Sequence, residues 1–311
     1  MAILFMSTHA GDAEDYLPLL KGHLPDQDIR VWPDAVGDPA DIEIAVIAVP
    51  APGVLAGLPN LKAVLSLWAG VDSLLGDPTF PRHIPLARMV DPLLGVDMTH
   101  FAIHWVLHFH RGLHRYAALQ GRAEWHPVAY PEAAERRVGI MGLGVLGSDA
   151  ALKLASLGFA VAGWDALAKS LAGVETFAGA GRLSDFLKRT EILVVLLPLT
   201  PETRGIVNAE TLAALPRGAF LISLARGGHI IEADLLAALD SGHLSMALLD
   251  AFRHEPLKAD HPFWHHPKVI VTPHVASHTT PRTAAAEIAV DVRRLLSGGM
   301  PRHLVDVTRG Y

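Results

Sequence analysis

The run Val138-Gly139-Ile140-Met141-Gly142-Leu143-Gly144-Val145-Leu146-Gly147 breaks an apolar stretch into Gly-x-Gly-x-x-Gly and continues in a helical pattern through Leu157-Gly158. A strand, a tight turn and a helix start are the conformations such a run can take together. Gly142 allows the turn, Gly144 lets the backbone approach a pyrophosphate, and Gly147 lets helix and strand pack closely. The N–H groups of the helix start, those of Val145 and Leu146 among them, are then aimed at the phosphates. A second apolar strand, 159–164, ends at Asp165, where a ribose-binding carboxylate belongs in a βαβ dinucleotide unit. This context, more than the three glycines, predicts the dinucleotide site. Because a carboxylate accepts the ribose 2′-OH and repels a 2′-phosphate, Asp165 favours NAD(H) over NADP(H).

At 311 residues the chain is long enough for two domains with a core each. In the first 96 residues, β-rich runs at 2–6, 29–32, 44–48 and 63–67 alternate with helix-compatible or Pro/Gly-rich stretches, which reads as a small parallel α/β layer. The third and fourth runs lead into Pro50-Ala51-Pro52 and Trp68-Ala69-Gly70-Val71-Asp72. Ligands of open α/β sheets sit beyond the carboxyl ends of strands, so both turns are candidate substrate loops. One long helical segment is expected over 97–119, followed by a polar stretch, 120–137, leading into the dinucleotide strand. After Asp165, strands at 191–196, 219–223, 244–249 and 269–271 alternate with helices at 210–215 and 232–239, and a last helix, 281–296, returns to the first domain. The expected fold is two doubly wound parallel-sheet domains, Rossmann or flavodoxin-like, with the active site in the cleft between them. Residues 1–96 with 281–311 would bind substrate and 97–280 the dinucleotide.

Several function classes are excluded. The formal charge is −6 and no basic patch interleaves with aromatics, which argues against a nucleic-acid partner. Cysteine is absent, so thiol nucleophiles, thiolate metal sites and disulfides are too. No apolar stretch is long enough to span a bilayer, and the opening Met-Ala-Ile-Leu-Phe-Met reads as a first strand, not a signal peptide; a cytoplasmic protein is expected. His100, His104 and His108 recur at helical spacing, with His110 and His114 beyond them. No carboxylate joins this stripe, and histidines beside aromatics pack more often than they ligate, so no metal is assigned.

Three strand ends in the second half present polar residues. They are Ser223-Leu224-Ala225-Arg226-Gly227-Gly228, the segment 249–257 with Asp250 and Glu255, and Thr272-Pro273-His274. A proton donor, a carboxylate to orient it and a fixed cation are what carbonyl reduction needs besides hydride from nicotinamide. With Leu196-Leu197-Pro198-Leu199-Thr200-Pro201-Glu202-Thr203 and the glycine run, these segments resemble the D-2-hydroxyacid dehydrogenase family over nearly the whole chain. The branch they are most similar to is that of the glyoxylate/hydroxypyruvate reductases, through Ala69-Gly70-Val71-Asp72-Ser73, Gly144-Val145-Leu146-Gly147-Ser148, the segment 234–242 and the terminal Arg309-Gly310-Tyr311.

The resemblance implies an oxidoreductase that reduces a small 2-oxoacid. In it His274 is the proton donor, Glu255 its partner, and Arg226 the cation that binds the substrate carboxylate. Backbone N–H groups of Ala69, Gly70 and Val71 match the family's carboxylate loop. Asp250 matches the residue that holds the nicotinamide carboxamide, while Leu197, Pro198, Thr203, Leu224 and Ala225 match cofactor-wall positions. A homodimer is implied too, with the 97–119 segment and Trp125 supplying aromatic, charge-poor surface. Two departures stand out. Ala48-Val49 precedes Pro50 where the relatives carry an aromatic residue, and Trp68 replaces a small one. The rival class is a nucleotide-sensing or corepressor protein on the same fold, against which the intact Arg226, Glu255 and His274 argue.

Overall fold

The computed structural model describes residues 1–310; Tyr311, the last residue of the terminal segment singled out above, lies outside the described residues. The chain divides into two compact units, Met1–Leu94 with the segment from Thr279 onward, and Gly95–His278.

The first unit holds β1 (Ala2–Met6), α1 (Asp12–His23), β2 (Asp28–Val31), β3 (Ile42–Ile47), β4 (Ala63–Ser66), α2 (Asp72–Gly76) and β5 (Leu86–Ala87). Its strands pair in parallel in the order β2-β1-β3-β4-β5, the flavodoxin-like doubly wound order. All five residues of β1 are buried, as expected of a parallel strand covered on both faces. The short β5 was not expected.

The unit boundary falls in the first turn of α3 (Pro92–His110). The single helix expected over 97–119 is two. The chain turns at Gly112, left-handed at φ 63°, before α4 (Leu113–Gly121). Glycine adopts that backbone without a Cβ clash, which is why the helical pattern breaks inside an apolar run.

The second unit continues with β6 (Arg137–Met141), α5 (Val145–Ser156), β7 (Ala160–Asp165), β8 (Glu175–Ala178), α6 (Leu183–Lys188), β9 (Ile192–Val195), α7 (Ala209–Ala214), β10 (Ala219–Ser223), α8 (Glu232–Asp240), β11 (Leu244–Leu249) and β12 (Val269–Val271). The sheet is parallel throughout, in the order β12-β11-β10-β9-β6-β7-β8. β8, a four-residue edge strand, escaped the sequence pattern. One face packs against α3 and α5 through Ala102, Val106, Phe109 and Leu154, and the other against α6, α7 and α8 through Phe186, Leu212 and Leu235.

The last helix, α9 (Pro281–Leu296), completes the first unit. Ala284, Ala285, Ile288, Ala289 and Val292 form one stripe packed with α1 and the face of β1, β3 and β4. Ile288, 3% exposed, sits in that stripe. Ile288→Ala should destabilise the protein by about 2–5 kcal/mol, read as a lower urea midpoint. An unchanged midpoint would show that α9 is not part of this core.

Candidate active site

The second sheet reverses its winding between β6 and β9, and the carboxyl ends of these neighbours form a switch point, where α/β sheets bind ligands. Gly142 leaves β6 at φ 103°; a Cβ there would lie 2.8 Å from the Leu196 carbonyl carbon beyond β9. At Gly147 a Cβ would lie 1.8 Å from the Gly142 carbonyl oxygen, so helix and turn approach too closely for any side chain. Gly144 differs from both. Its position is exposed with nothing within 4 Å of a Cβ, and it caps α5 without a side-chain hydrogen bond. The first-turn N–H groups of α5, including those of Val145 and Leu146, thus open onto free space at a positive helix end. A pyrophosphate fits this cradle.

Asp165 ends β7 beside the same turn. Its Oδ2 accepts the Leu143 N–H at 2.8 Å and its Oδ1 the Leu167 N–H at 3.1 Å, so the carboxylate sits at the rim of the glycine loop. Across the switch point Leu197 is buried and Pro198 partly exposed. The Thr203 hydroxyl closes this turn, donating to the Pro198 carbonyl at 2.7 Å and accepting the Thr200 N–H at 2.8 Å. Leu224 and Ala225, just past β10, are buried.

Further along the same edge stand the polar residues. Glu255 Oε2 is 2.8 Å from His274 Nδ1, and Oε1 accepts the Phe252 N–H at 2.8 Å. The carboxylate is thereby fixed at both oxygens. With Nδ1–H donated to Glu255, Nε2 is the nitrogen left to act. The bond to Glu255 raises the His274 pKa above its ordinary value, helped by the charges of Glu255 and Asp250; burial and the nearby Arg226 oppose. For Glu255, burial would raise the pKa, but the bonds from His274 and the Phe252 N–H outweigh it and hold the carboxyl low. The pair is therefore poised as imidazolium and carboxylate.

The local backbone explains why these groups meet. His274 has φ 54°, a left-handed conformation uncommon outside glycine, and its N–H donates to the Asp250 carbonyl at 2.8 Å. The fully buried Asp250 carboxylate accepts the Thr272 hydroxyl (2.6 Å) and the N–H groups of Val275 (2.9 Å) and Ala276 (3.0 Å), clamping the loop that carries His274. Arg226 follows β10, with one guanidinium nitrogen donating to the Ala225 carbonyl at 2.8 Å. A Cβ on the next residue, Gly227, would fall 2.0 Å from the Phe252 carbonyl carbon, so the arginine turn is pressed against the loop bearing Glu255.

Sequence reasoning missed the fully buried His229 and, although it singled out the Thr272 strand end, the bond of Thr272 to Asp250. The available signal was a polar residue inside an apolar run, Gly-Gly-His-Ile-Ile, and a threonine preceding Pro-His.

In the first unit, Ala69 and Gly70 are partly exposed past β4 and Val71 is buried. The loop is anchored by Ser66, whose hydroxyl accepts the Trp68 N–H, and by the Met89 N–H on the Trp68 carbonyl. Trp68 is half-buried with its ring 5.5 Å from His9, and Ala48 is buried in the core. Three of the α3 histidines pack on rings: His104 and His108 lie 5.1 and 5.0 Å from Trp105, and His110 lies 5.0 Å from Phe159. Burial pushes His108, His110 and His114 down, His114 to about 4.

Residues 103–276 match the family model described as D-isomer specific 2-hydroxyacid dehydrogenase, NAD binding domain. The glyoxylate/hydroxypyruvate reductase A of Serratia proteamaculans is 41% identical over 305 residues, 96% of this chain and 97% of the relative; that of Escherichia fergusonii is 42% identical over the same shares. Among solved structures, a D-isomer specific 2-hydroxyacid dehydrogenase from Xanthobacter autotrophicus Py2, in complex with NADPH and MES, superposes with TM-score 0.94 at 44% identity, covering 100% of this chain and 99% of that one. The NADPH-dependent glyoxylate/hydroxypyruvate reductase of Sinorhizobium meliloti, in complex with NADP and sulfate, gives TM-score 0.92 at 40% identity with the same coverage. Fold, glycine cradle and the His274–Glu255 pair thus coincide with a match over nearly the full length, and the chain belongs to the D-isomer specific 2-hydroxyacid dehydrogenase family.

Proposed function

We propose that this protein is an NAD(P)H-dependent reductase of small 2-oxoacids, glyoxylate and hydroxypyruvate foremost, yielding the D-2-hydroxyacid where the product is chiral. The observation that carries this reading is the 2.8 Å His274–Glu255 pair beside Arg226, on the same sheet edge as the glycine cradle. The second unit is the cofactor-binding domain and the first the substrate-binding domain. When bound, the reduced nicotinamide supplies hydride to the carbonyl carbon. His274, its Nδ1 engaged by Glu255, delivers the Nε2 proton to the carbonyl oxygen. The planar fork of Arg226 binds the substrate carboxylate and polarises the carbonyl. The N–H groups of Ala69, Gly70 and Val71 are the substrate-binding groups of the first unit. A sensing or corepressor role would have no use for a protonatable histidine held by a carboxylate beside an arginine.

Asp165 supports a preference for NAD(H), although the relatives from Xanthobacter and Sinorhizobium were solved with NADPH and NADP. Only Lys169 follows closely enough in sequence to meet a 2′-phosphate. The protein works as a cytoplasmic homodimer. Trp125, 99% exposed, with Leu107, Leu113 and Tyr116, offers the exposed aromatic and apolar side chains that such an interface uses.

Reduction consumes the imidazolium form, so kcat/KM for glyoxylate should fall as pH rises through the raised His274 pKa. Glu255→Gln removes the charge favouring imidazolium, and the falling limb should move to lower pH. An unmoved limb would mean that Glu255 does not set this pKa, and a wild type reducing no 2-oxoacid in a panel with either cofactor would refute the reductase reading.

For the cofactor, kcat/KM with NADH should exceed that with NADPH. Asp165→Ser should shift the ratio toward NADPH by roughly tenfold or more, since like charges at 4 Å repel by about 4 kcal/mol near a protein surface. A wild type that prefers NADPH refutes the Asp165 argument.

Sedimentation equilibrium should give a dimer at micromolar concentration, and Trp125→Glu should weaken it about tenfold or more by placing a charge in an apolar interface. A monomeric wild type rules the dimer out.

A further inference from the structure

His229 is fully buried in the turn that follows β10, three residues after Arg226. A buried imidazole is unfavourable unless its polar atoms are bonded, and leucine or phenylalanine would fill the same volume without that demand. The ring nitrogens show what it does there. Nδ1 lies 2.9 Å from the Arg226 carbonyl oxygen and also meets the Arg226 N–H at 3.3 Å, while Nε2 lies 3.2 Å from the Pro198 carbonyl oxygen. One side chain therefore spans the two loops beyond β9 and β10. Pro198 lies in the turn assigned to the cofactor wall, and Arg226 is the residue assigned to the substrate carboxylate.

The backbone reinforces the same junction. The Val207 N–H donates to the His229 carbonyl and the Gly205 N–H to the Gly228 carbonyl, each at 2.9 Å. A Cβ at Gly228 would fall 2.8 Å from Leu199 Cδ2, so the two loops already touch at the van der Waals limit. Backbone pairing fixes their spacing from residue 205 onward. The His229 ring adds a side-chain hydrogen-bond link between Arg226 and Pro198.

Resting on the reductase reading, we propose that His229 is a positioning residue, holding the Arg226 turn against the Pro198 turn so that the substrate-carboxylate and cofactor subsites keep one fixed spacing. A neutral imidazole carries one N–H, so with Nε2–H donating to the Pro198 carbonyl oxygen, Nδ1 accepts the Arg226 N–H; a side-chain amide, which has both a donor and an acceptor, can replace either contact. Asparagine places its amide oxygen near the position of Nδ1, and glutamine its NH2 near that of Nε2. The two variants therefore separate the two ends of the bridge.

The test is the affinity of each variant for two ligands, NADH (or NADPH) by fluorescence and oxalate, an unreactive 2-oxoacid mimic, by calorimetry on the cofactor-bound protein. His229→Gln keeps the Pro198 contact and releases Arg226. Oxalate should weaken by about tenfold, the loss expected for one hydrogen bond next to a charged group, while the cofactor Kd stays within about threefold. His229→Asn keeps the Arg226 contact and releases Pro198, so the cofactor should weaken by about fivefold and oxalate by less. Melting temperatures are read in parallel. A purely structural histidine would lower them in both variants and weaken both ligands alike, and that result, or unchanged affinities in both, overturns the proposal. A wild type that binds both ligands yet reduces no 2-oxoacid overturns the reductase reading, while the affinity split still decides the role of His229. A wild type that binds neither overturns both.

Discussion

Gly147 has no room for a side chain, and much of the second unit follows from that. A Cβ there would stand 1.8 Å from the Gly142 carbonyl oxygen, so the first turn of α5 is seated directly on the turn leaving β6. That closeness fixes where the helix begins. It also puts uncapped N–H groups at the switch point between β6 and β9, where Gly142 is pressed against the backbone of Leu196 and Leu197. A pyrophosphate cradle is thus a by-product of tight packing. Where the backbone crowds itself, glycine is obligatory; at Gly144 the space is open, and a side chain there would obstruct a ligand instead of the fold.

The reactive edge depends on a second constraint, the buried carboxylate of Asp250. Its three hydrogen bonds all go to the loop 272–276, and its own carbonyl takes the His274 N–H. A buried anion is unfavourable unless its lone pairs are satisfied, and here loop backbone and a threonine satisfy them. The loop in turn holds His274 in a left-handed conformation that costs about 1–2 kcal/mol for a non-glycine residue. The gain from this strain is directional. Nδ1 meets a carboxylate already fixed by the Phe252 N–H, so the ring is oriented by a group that is itself oriented.

Much of this was legible in the sequence because the signals were local. Strand ends, the glycine turn and the polar residues after β10, β11 and β12 lie at fixed distances from apolar runs. A parallel sheet then brings its carboxyl ends to one edge without further information. What escaped reading depends on tertiary context. The break at Gly112 lies inside a run whose apolar residues continue the helical period, and β8 has four residues at a sheet edge. The use of Asp250 as a clamp could not be read either, since nothing in Leu-Asp-Ala-Phe announces that its acceptors face residues more than twenty positions away. His229 was hidden for the opposite reason. Its neighbours are apolar, and only the fold shows that an N–H meets one ring nitrogen and a carbonyl the other.

Asp165 ties the end of β7 to the glycine turn through both of its carboxylate oxygens. One carboxylate oxygen accepts the N–H of Leu143, inside the glycine turn, and the other that of Leu167, just past β7. The charge that would repel a 2′-phosphate is thus also an acceptor holding the mouth of the cradle. A neutral hydroxyl in its place could bond one of these N–H groups but not both in the same geometry. Replacing Asp165 therefore changes two quantities at once, the electrostatic term for the 2′-phosphate and the rigidity of the glycine loop. The two separate by ligand: a looser cradle weakens NADH and NADPH alike, because the pyrophosphate is common to them, whereas the charge acts on the 2′ position alone. A change in the ratio of the two affinities reports the charge, and a change in their geometric mean reports the loop.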